Sequence, residues 1–252
     1  KTQVEAEAKK GFDGRFGPGL PAISDGQMLF MLNGVKKLKE GSGRMAIIQN
    51  GSSLFTGDAG SGASEIRRYV ITEDLVEAII QLPTDLFYNT GISTYIWVLT
   101  RGKPMHRSGK VQLIDASKCF VKRRKNIGSK RVDLDDACIE LILRAYEDFD
   151  NRAYEENGLI VESKVFDNSF FGFTKVTVET AQADATGKPV LKKGKKQPVK
   201  GASDTEIIPL SEDIDSYMEK NVLPYNPLAY IDPAKDKIGY EIPFTRLFYK
   251  FV

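Results

Sequence analysis

Residues 76–99 read VEAIIQLPTDLFYNTGISTYIWVL and contain two apolar runs, Val76–Leu82 and Ile92–Leu99. Short apolar runs rich in β-branched and aromatic residues predict two buried strands. Adjacent strands can be joined by about two to five residues, whereas about nine irregular residues connect these two. A connection of this length is typical of a functional loop. The segment Leu82–Thr94, called the 82–94 loop below, is therefore the first candidate site.

The residues before this stretch predict an α/β fold. Arg44–Asn50 is a short apolar run, Gly51–Gly62 is rich in glycine, and Ser64–Val70 follows as a helix that Ser64 could cap. The order strand, Gly-rich loop, helix, strand is typical of a parallel α/β sheet. Ile92–Leu99 follows its predecessor without a helix, so we expect it to pair antiparallel. Lys110–Asp115 is one more predicted strand, at an edge.

The character of the chain changes beyond residue 117, and we expect a mostly helical extension. Asp133 can cap a helix to Phe149, and Ser211 or Asp213 can begin a last helix towards Asn221. The predicted segments are the α/β part at 1–117; a basic loop, helix and short hairpin (around 164–178) at 118–180; a Lys/Gly/Pro-rich linker at 181–205; and a helical segment for subunit contacts at 206–252.

Composition limits the possible functions. With 41% hydrophobic and 28% charged residues, the 252-residue chain is typical of a folded globular protein. The net charge of +2 is too small to indicate a partner by itself. Cys119 and Cys138 lack metal-ligand spacing, and the single histidine, His106, is expected to be a surface residue. We expect no metal site, no membrane span and a reducing, cytoplasmic setting.

Two basic regions allow a structural or a DNA-binding interpretation. Gly57, Gly62 and Ser64 fit the spacing of a phosphate-binding loop, but Ala63 replaces its lysine, which argues against nucleotide hydrolysis. The loop could simply cap a helix, or Ser64, Arg67 and Arg68 could contact a DNA phosphate. In the same way, a basic cluster could be a solvated loop or bind phosphates. Its candidate residues are Lys122, Arg123 and Arg124.

The 82–94 loop also has two interpretations. Phe87 and Tyr88 could plug the end of the sheet. Alternatively, adjacent aromatic rings followed by Asn89 and Thr90 provide what a flipped-out base requires: stacking surface, and polar groups that read the edge of the base. The residues alone leave both interpretations open.

Five sequence segments strongly resemble the modification subunits of type I restriction–modification systems. These subunits are S-adenosylmethionine-dependent N6-adenine DNA methyltransferases. The segments are GFDGRFGPGLPAISDG (Gly11–Gly26), NGSSLFTGDAGSGASEIRR (Asn50–Arg68), EAIIQLPTDLFYNTGISTYIWVL (Glu77–Leu99), KVQLIDAS (Lys110–Ser117) and GYEIPFTRLFY (Gly239–Tyr249). The resemblance covers nearly the whole chain outside the Lys-rich linker.

The resemblance implies the C-terminal half of a Rossmann-like methyltransferase sheet. Arg44–Asn50, Val76–Leu82 and Ile92–Leu99 would be its strands 5, 6 and 7, with strand 7 antiparallel and inserted between the other two. The 82–94 loop would supply the aromatic residue that stacks on the flipped adenine. Phe87 matches that position best and Tyr88 second.

The sequence also departs from the family. The chain begins at Lys1, and the Gly-rich cofactor motif and the Asn-Pro-Pro-Phe motif are absent. We therefore expect a piece that supplies the target-base wall of the enzyme and does not bind S-adenosylmethionine by itself. The implied partners are double-stranded DNA, a specificity subunit, a second modification subunit and a restriction subunit. The alternative is a non-catalytic assembly module that binds the specificity subunit and DNA.

Overall fold

The computed structural model describes residues 1–250 and divides the chain into two compact units. The main unit contains Lys1–Gly57, Ser61–Asn168 and the stretch from Glu241 onwards, and the second unit contains Asp58–Gly60 and Ser169–Tyr240. The predicted boundary after residue 117 falls inside the main unit, and the boundaries after residues 180 and 205 fall inside the second unit. The last two residues of the predicted segment 206–252 lie outside the described part. None of the described helices has the length and hydropathy that a bilayer-spanning segment needs.

Seven helices and fourteen strands are described within residues 1–250. The helices are α1 (Thr2–Ala8), α2 (Gln27–Val35), α3 (Ser52–Phe55), α4 (Gly62–Thr72), α5 (Asp136–Asp148), α6 (Ile214–Asn221) and α7 (Phe244–Phe248). The strands are β1 (Arg44–Asn50), β2 (Val76–Gln81), β3 (Thr94–Thr100), β4 (Lys110–Lys118), β5 (Val121–Ile127), β6 (Lys130–Asp133), β7 (Arg152–Glu156), β8 (Leu159–Asp167), β9 (Gly172–Ala181), β10 (Leu191–Lys192), β11 (Lys195–Lys196), β12 (Pro198–Pro209), β13 (Ala229–Ile231) and β14 (Lys237–Tyr240).

The main unit is built on a mixed sheet with the strand order β1-β3-β2-β4-β8-β7. Strand β3 pairs antiparallel with both β1 and β2, and β4 pairs parallel with β2. The prediction that Ile92–Leu99 forms an antiparallel strand between two strands that run parallel to each other is therefore confirmed. The prediction of an edge position for β4 was wrong, because β4 lies between β2 and β8. Its nearly continuous burial is typical of a central strand.

Helices cover both faces of this sheet. Ile80 and Ile114 point to the face on which α5 packs, and Cys119 and Cys138 lie fully buried in the same cluster. Trp97 points to the opposite face, since it is one residue out of phase with this set, and its indole N–H donates to Ser53 Oγ of α3 at 3.2 Å. Cys138 is thus a core residue of the main unit.

The region beyond β4 differs from its prediction. The basic stretch is a β-hairpin, β5–β6, and not a loop. In the second unit, β9 pairs with β12, β13 and β14, and the segment predicted as a linker contains β10, β11 and most of β12. The prediction of a mostly helical extension is therefore wrong, because the region beyond β4 contains ten strands within the described residues. Strands β8 and β9 also belong to different sheets and do not form the expected hairpin.

Candidate nucleic-acid interface

The 82–94 loop lies at the carboxyl edge of the main sheet. Strands β1 and β2 run parallel to each other, because each is antiparallel to β3, and they end at Asn50 and Gln81. Asn50 is paired with Thr94, the residue at which the chain returns from the loop into β3. Ligands of α/β sheets bind beyond the carboxyl ends of parallel strands. The position of the loop is therefore one where a binding site is expected.

The backbone closes the loop into a compact turn. Leu82 N donates to Thr94 O at 2.9 Å, and a single bridge pairs Phe87 with Thr90. The side chain of Leu86 is buried in a small apolar cluster with Leu82. The loop thus has a defined conformation in the described structure.

The two aromatic residues of the loop have different surroundings. Phe87 is half-buried and packs against the apolar cluster below the loop, which fits the role of a plug. Tyr88 is 68% exposed, so its ring faces solvent beside the exposed Asn89. Thr90 is half-buried, and its hydroxyl accepts a bond from Ile92 N at 3.4 Å. The described geometry thus offers Tyr88 and Asn89 to a ligand more openly than Phe87 and Thr90.

The hairpin β5–β6 contacts this loop through backbone hydrogen bonds and contains the basic cluster. Lys122 and Arg124 are exposed. Arg123 instead bonds to Asp133, which also pairs with Lys130 at 2.8 Å. These two cations, Lys130 first, hold the pKa of the Asp133 carboxyl below its usual value. Arg123 therefore ties the two strands of the hairpin together, and Lys122 and Arg124 remain open to phosphates.

The Gly-rich segment before α4 is closed, which corrects two predicted contacts. The N-cap of α4 is Ser61, whose Oγ accepts from Ser64 N at 3.4 Å, and Ser64 itself is buried in the first turn. Arg67 is also fully buried, and it donates to Ser53 O at 3.2 Å and Thr56 O at 2.9 Å. Burial lowers the pKa of Arg67 to about 10. Neither Ser64 nor Arg67 can reach a DNA phosphate in this arrangement.

Arg68 is the remaining predicted residue of this helix. Its side chain is exposed and lies 3.4 Å from Glu65, one turn earlier on the helix. An exposed pair of this kind contributes little to stability and can be exchanged for a phosphate contact. Arg68 thus stays a predicted DNA contact.

A polar cluster at the end of β1 was missed by the sequence reasoning. Gln27 Nε2 donates to Asp25 Oδ2 at 2.9 Å and to Asn50 Oδ1 at 2.8 Å, and Ser52 Oγ donates to Asp25 Oδ2 at 2.7 Å. Burial alone would raise the pKa of Asp25, but the bonds from Ser52 and Gln27 outweigh it, and the pKa lies below its usual value. The available signal was the short polar residues beside Gly26 and Gly51, the second of which follows a predicted strand. The cluster lies beside the start of β3, at the same edge as the 82–94 loop.

A cleft of about 310 Å³ lies at the carboxyl ends of β2 and β4. Its two carboxylates already have partners: Asp115 accepts from Ser117 N at 2.9 Å, and Glu162 pairs with Lys250 at 2.8 Å and Lys164 at 3.3 Å. Both carboxylates of the cleft thus already accept hydrogen bonds or pair with lysines.

Comparison with known proteins assigns the family. A model of the N-6 DNA methylase family matches residues 3–180, and the chain belongs to this family. It is 34% identical over 106 residues to the type I restriction enzyme MjaVIII methylase subunit of Methanocaldococcus jannaschii, a match that covers 42% of this chain and 18% of that protein. It is 29% identical over 185 residues to the HindI methylase subunit of Haemophilus influenzae, covering 72% of this chain and 40% of the relative.

A solved structure is similar as well. The methyltransferase subunit of a type I restriction-modification system from Streptococcus thermophilus superposes with a TM-score of 0.52 at 31% identity, over 62% of this chain and 30% of that one. The chain thus spans well under half the length of the proteins that it matches.

Proposed function

We propose that this chain is the base-side part of an adenine-N6-specific DNA methyltransferase of a type I restriction–modification system. The observation that carries the proposal is the exposed Tyr88 on a closed loop at the carboxyl edge of the sheet, in a chain of the N-6 DNA methylase family. In the proposed full-length subunit, Arg44–Asn50 and Val76–Leu82 are strands 5 and 6, and Ile92–Leu99 is strand 7 of a Rossmann-like sheet.

In this role the loop holds an adenine that has left the duplex. A flipped base needs a ring to stack on and polar groups at its edge. Tyr88 offers the ring, the amide of Asn89 and the hydroxyl of Thr90 offer donors and acceptors, and Phe87 supports the loop from below. The contribution of this wall is positioning, which lowers the barrier by holding the reacting amine in one place.

The DNA backbone would lie along exposed cations of the hairpin and of α4. Lys122 and Arg124 on the hairpin and Arg68 on α4 can neutralise phosphates, and contacts of this type give affinity without reading the sequence. We propose that recognition of the site belongs to a specificity subunit. The proposed assembly also contains a second modification subunit and, in the full complex, a restriction subunit.

The described residues do not fit S-adenosylmethionine, so the proposed cofactor site belongs to the full-length enzyme. The Gly-rich segment of this chain cannot cradle it, because the backbone of Leu20 occupies the space in front of Gly62. The cleft beside β4 offers carboxylates that are already paired with lysines or backbone. We therefore propose that this chain does not bind the cofactor by itself.

The test uses the full-length subunit in its complex and a duplex with 2-aminopurine at the mapped target adenine. Tyr88→Ala should reduce the fluorescence rise that accompanies base flipping and slow methylation, because about 1–3 kcal/mol of stacking is lost. Tyr225→Ala is the matched control, since Tyr225 is 87% exposed and lies in the second unit. Equal fluorescence and turnover in wild type, Tyr88→Ala and Phe87→Ala would contradict the proposal.

The alternative is a non-catalytic assembly module that binds the specificity subunit and DNA. Mutagenesis separates the two, and titration calorimetry tests what both assume. The assembly module predicts that the full complex methylates DNA equally well with wild-type and Tyr88→Ala chains. Micromolar binding of S-adenosylmethionine by this chain alone would contradict both assignments, because it requires a complete pocket.

A further inference from the structure

The turn of the basic hairpin lies directly on the 82–94 loop. Ser129 N donates to Tyr88 O at 2.9 Å. Gly128, with φ of +57°, places its α-carbon so close to the same carbonyl that a β-carbon there would overlap Tyr88 O. Only glycine allows both the left-handed turn and this approach. The backbone of the exposed aromatic residue is therefore fixed from outside the loop.

A second attachment lies further along the hairpin. Arg131 N donates to Asp85 O at 2.8 Å, and Val132 N lies 3.4 Å from the same oxygen. Asp85 itself has a left-handed backbone, with φ of +56°. The side chain of Val132 is buried with Leu82 and Leu86 below the loop. Two backbone attachments and one apolar contact thus join the hairpin to the loop on either side of Phe87.

We propose that the hairpin Val121–Asp133 is a positioning element for the target-base loop, with Gly128 and Ser129 as its positioning residues. The inference rests on the proposed function and deepens it, because the basic cluster and the base-binding loop become one mechanical unit. Lys122 and Arg124 are exposed on the hairpin whose turn fixes Tyr88. A DNA strand held by these cations is held at a set distance from the ring.

Two glycine variants provide a matched test. Gly128→Ala introduces a methyl group against Tyr88 O, whereas Gly158→Ala places the same substitution in the two-residue turn of the β7–β8 hairpin. Gly158 has a φ of +80°, and no atom lies within 4 Å of the position that the added methyl group would take. Both variants therefore carry the strain of a left-handed alanine, and only Gly128→Ala disturbs the loop.

The first measurement is amide hydrogen exchange on this chain, which does not depend on methylation. We expect exchange at Ser129 and Arg131 to accelerate by at least about tenfold in Gly128→Ala and by less than about twofold in Gly158→Ala, because local opening controls exchange at such sites. Amides of β2 and β3 report whether the fold is intact. Wild-type protection of Ser129 and Arg131 in a folded Gly128→Ala variant would overturn the proposal.

The second measurement is 2-aminopurine fluorescence and kinetics in the full-length complex. We expect Gly128→Ala to lower kcat and the flipped-base signal by about tenfold while KM for DNA changes little, since positioning and not backbone affinity is lost. Loosened exchange with an unchanged signal would overturn the positioning role. If Tyr88→Ala and Phe87→Ala also leave the signal unchanged, the proposed function fails, and the exchange data still decide whether the hairpin holds the loop.

Asp133→Asn serves as the second variant if Gly128→Ala does not fold. It weakens the tie from Arg123 on β5 that joins the two hairpin strands, and also the pair with Lys130 within β6. These ties are partly exposed, so the fold should survive their loss. Faster exchange at Ser129 together with a lower flipped-base signal supports the proposal, and wild-type values of both overturn it.

Discussion

Phe87 and Tyr88 are neighbours in sequence, yet their contacts predict different mutant phenotypes. Phe87→Ala removes a half-buried ring from the cluster of Leu82, Leu86 and Val132, and should lower the free energy of unfolding by about 1–3 kcal/mol. Tyr88→Ala should change it by less than about 0.5 kcal/mol, because the ring is exposed. Urea unfolding of this chain measures both. An equal decrease in the free energy of unfolding for both variants would show that Phe87 does not support the loop more than Tyr88 does.

Arg67 and Arg68 form a second pair of neighbours with opposite environments. Arg67→Met should destabilise the chain by about 2–4 kcal/mol, because the fully buried side chain loses its bonds to the carbonyls of Ser53 and Thr56. Arg68→Met should leave stability nearly unchanged and weaken DNA binding by the full-length complex. Thermal unfolding and fluorescence anisotropy measure the two effects. A stable Arg67→Met variant with weakened DNA binding would restore Arg67 as a phosphate contact.

The apolar spacing of α4 in the sequence already distinguishes Arg67 from Arg68. Ala63, Ile66, Val70 and Ile71 recur at the spacing of one helical face, and Arg67 falls on that face while Arg68 does not. The apolar periodicity of a helix thus outweighs a match to a phosphate-binding motif. The partners of Arg67 could not be predicted, because they are backbone carbonyls of a loop whose conformation depends on packing.

At the scale of elements, helix α4 depends on a close backbone approach at its first residue. A β-carbon on Gly62 would overlap Leu20 O, so Gly62→Ala must separate two chain segments. We expect a loss of about 3 kcal/mol, at the upper end of overpacking costs, because backbone cannot move aside as a side chain can. Gly26→Ala is the control, since this residue precedes α2 and has open space around it. Its cost should stay below about 1 kcal/mol.

Chemical denaturation of the two glycine variants checks this prediction. Similar midpoints for both would mean that the segment around Leu20 can move away from α4 at little cost. The Gly-rich motif would then have no structural reason for its glycine at position 62.

Elements with a local apolar signal were predictable, and those without one were not. Strands β2 and β3 and helix α5 carry several buried apolar residues, and β1 and α6 carry apolar residues that are mostly half-buried. Strands β5 and β12 are exposed along most of their length and rich in charged residues. Strand β12 exists because it pairs with β9, about thirty residues earlier in the chain. Such pairing is tertiary information that a single sequence does not display.

At the scale of the whole molecule, the net charge is too small to attract DNA by itself, so DNA binding depends on where the individual cations lie. The variant Lys122→Gln/Arg124→Gln and the control Lys37→Gln/Lys39→Gln remove the same charge from a chain of net charge +2, and all four side chains lie at least partly at the surface. If the hairpin contacts two phosphates, the first variant should reduce the slope of log affinity against log salt by about 1.8, and the control should leave it unchanged. Anisotropy titrations of the full-length complex over a range of salt concentrations measure both slopes. Equal slopes would contradict phosphate contacts at the hairpin.

The acid stability of the main unit should depend on Asp74, which precedes β2. The Asp74 carboxylate accepts from Gly109 N at 3.0 Å and Asn168 Nδ2 at 2.9 Å, and pairs with the buried ammonium of Lys103. Burial alone would raise the pKa of Asp74, but these donors, Lys103 first, lower it below its usual value. The carboxylate therefore stabilises the fold above its unfolded pKa of about 3.9, and this contribution disappears as the pH falls through the lower folded value.

Asp74→Asn should accordingly lower the free energy of unfolding by about 1–3 kcal/mol at pH 7, because charge-assisted bonds are lost and Lys103 stays buried without its counter-charge. The gap to wild type should narrow as the pH falls below about 4, because the unfolded wild-type chain then binds a proton at Asp74 that the folded chain binds only at its lower pKa. Urea unfolding between about pH 3 and 7 measures this gap. Asp167→Asn is the control, since Asp167 pairs with Lys110 at the surface, where such pairs contribute little at any pH. A gap for Asp74→Asn that stays constant down to pH 3 would show that the lost contacts act through shape alone and not through the charge of Asp74.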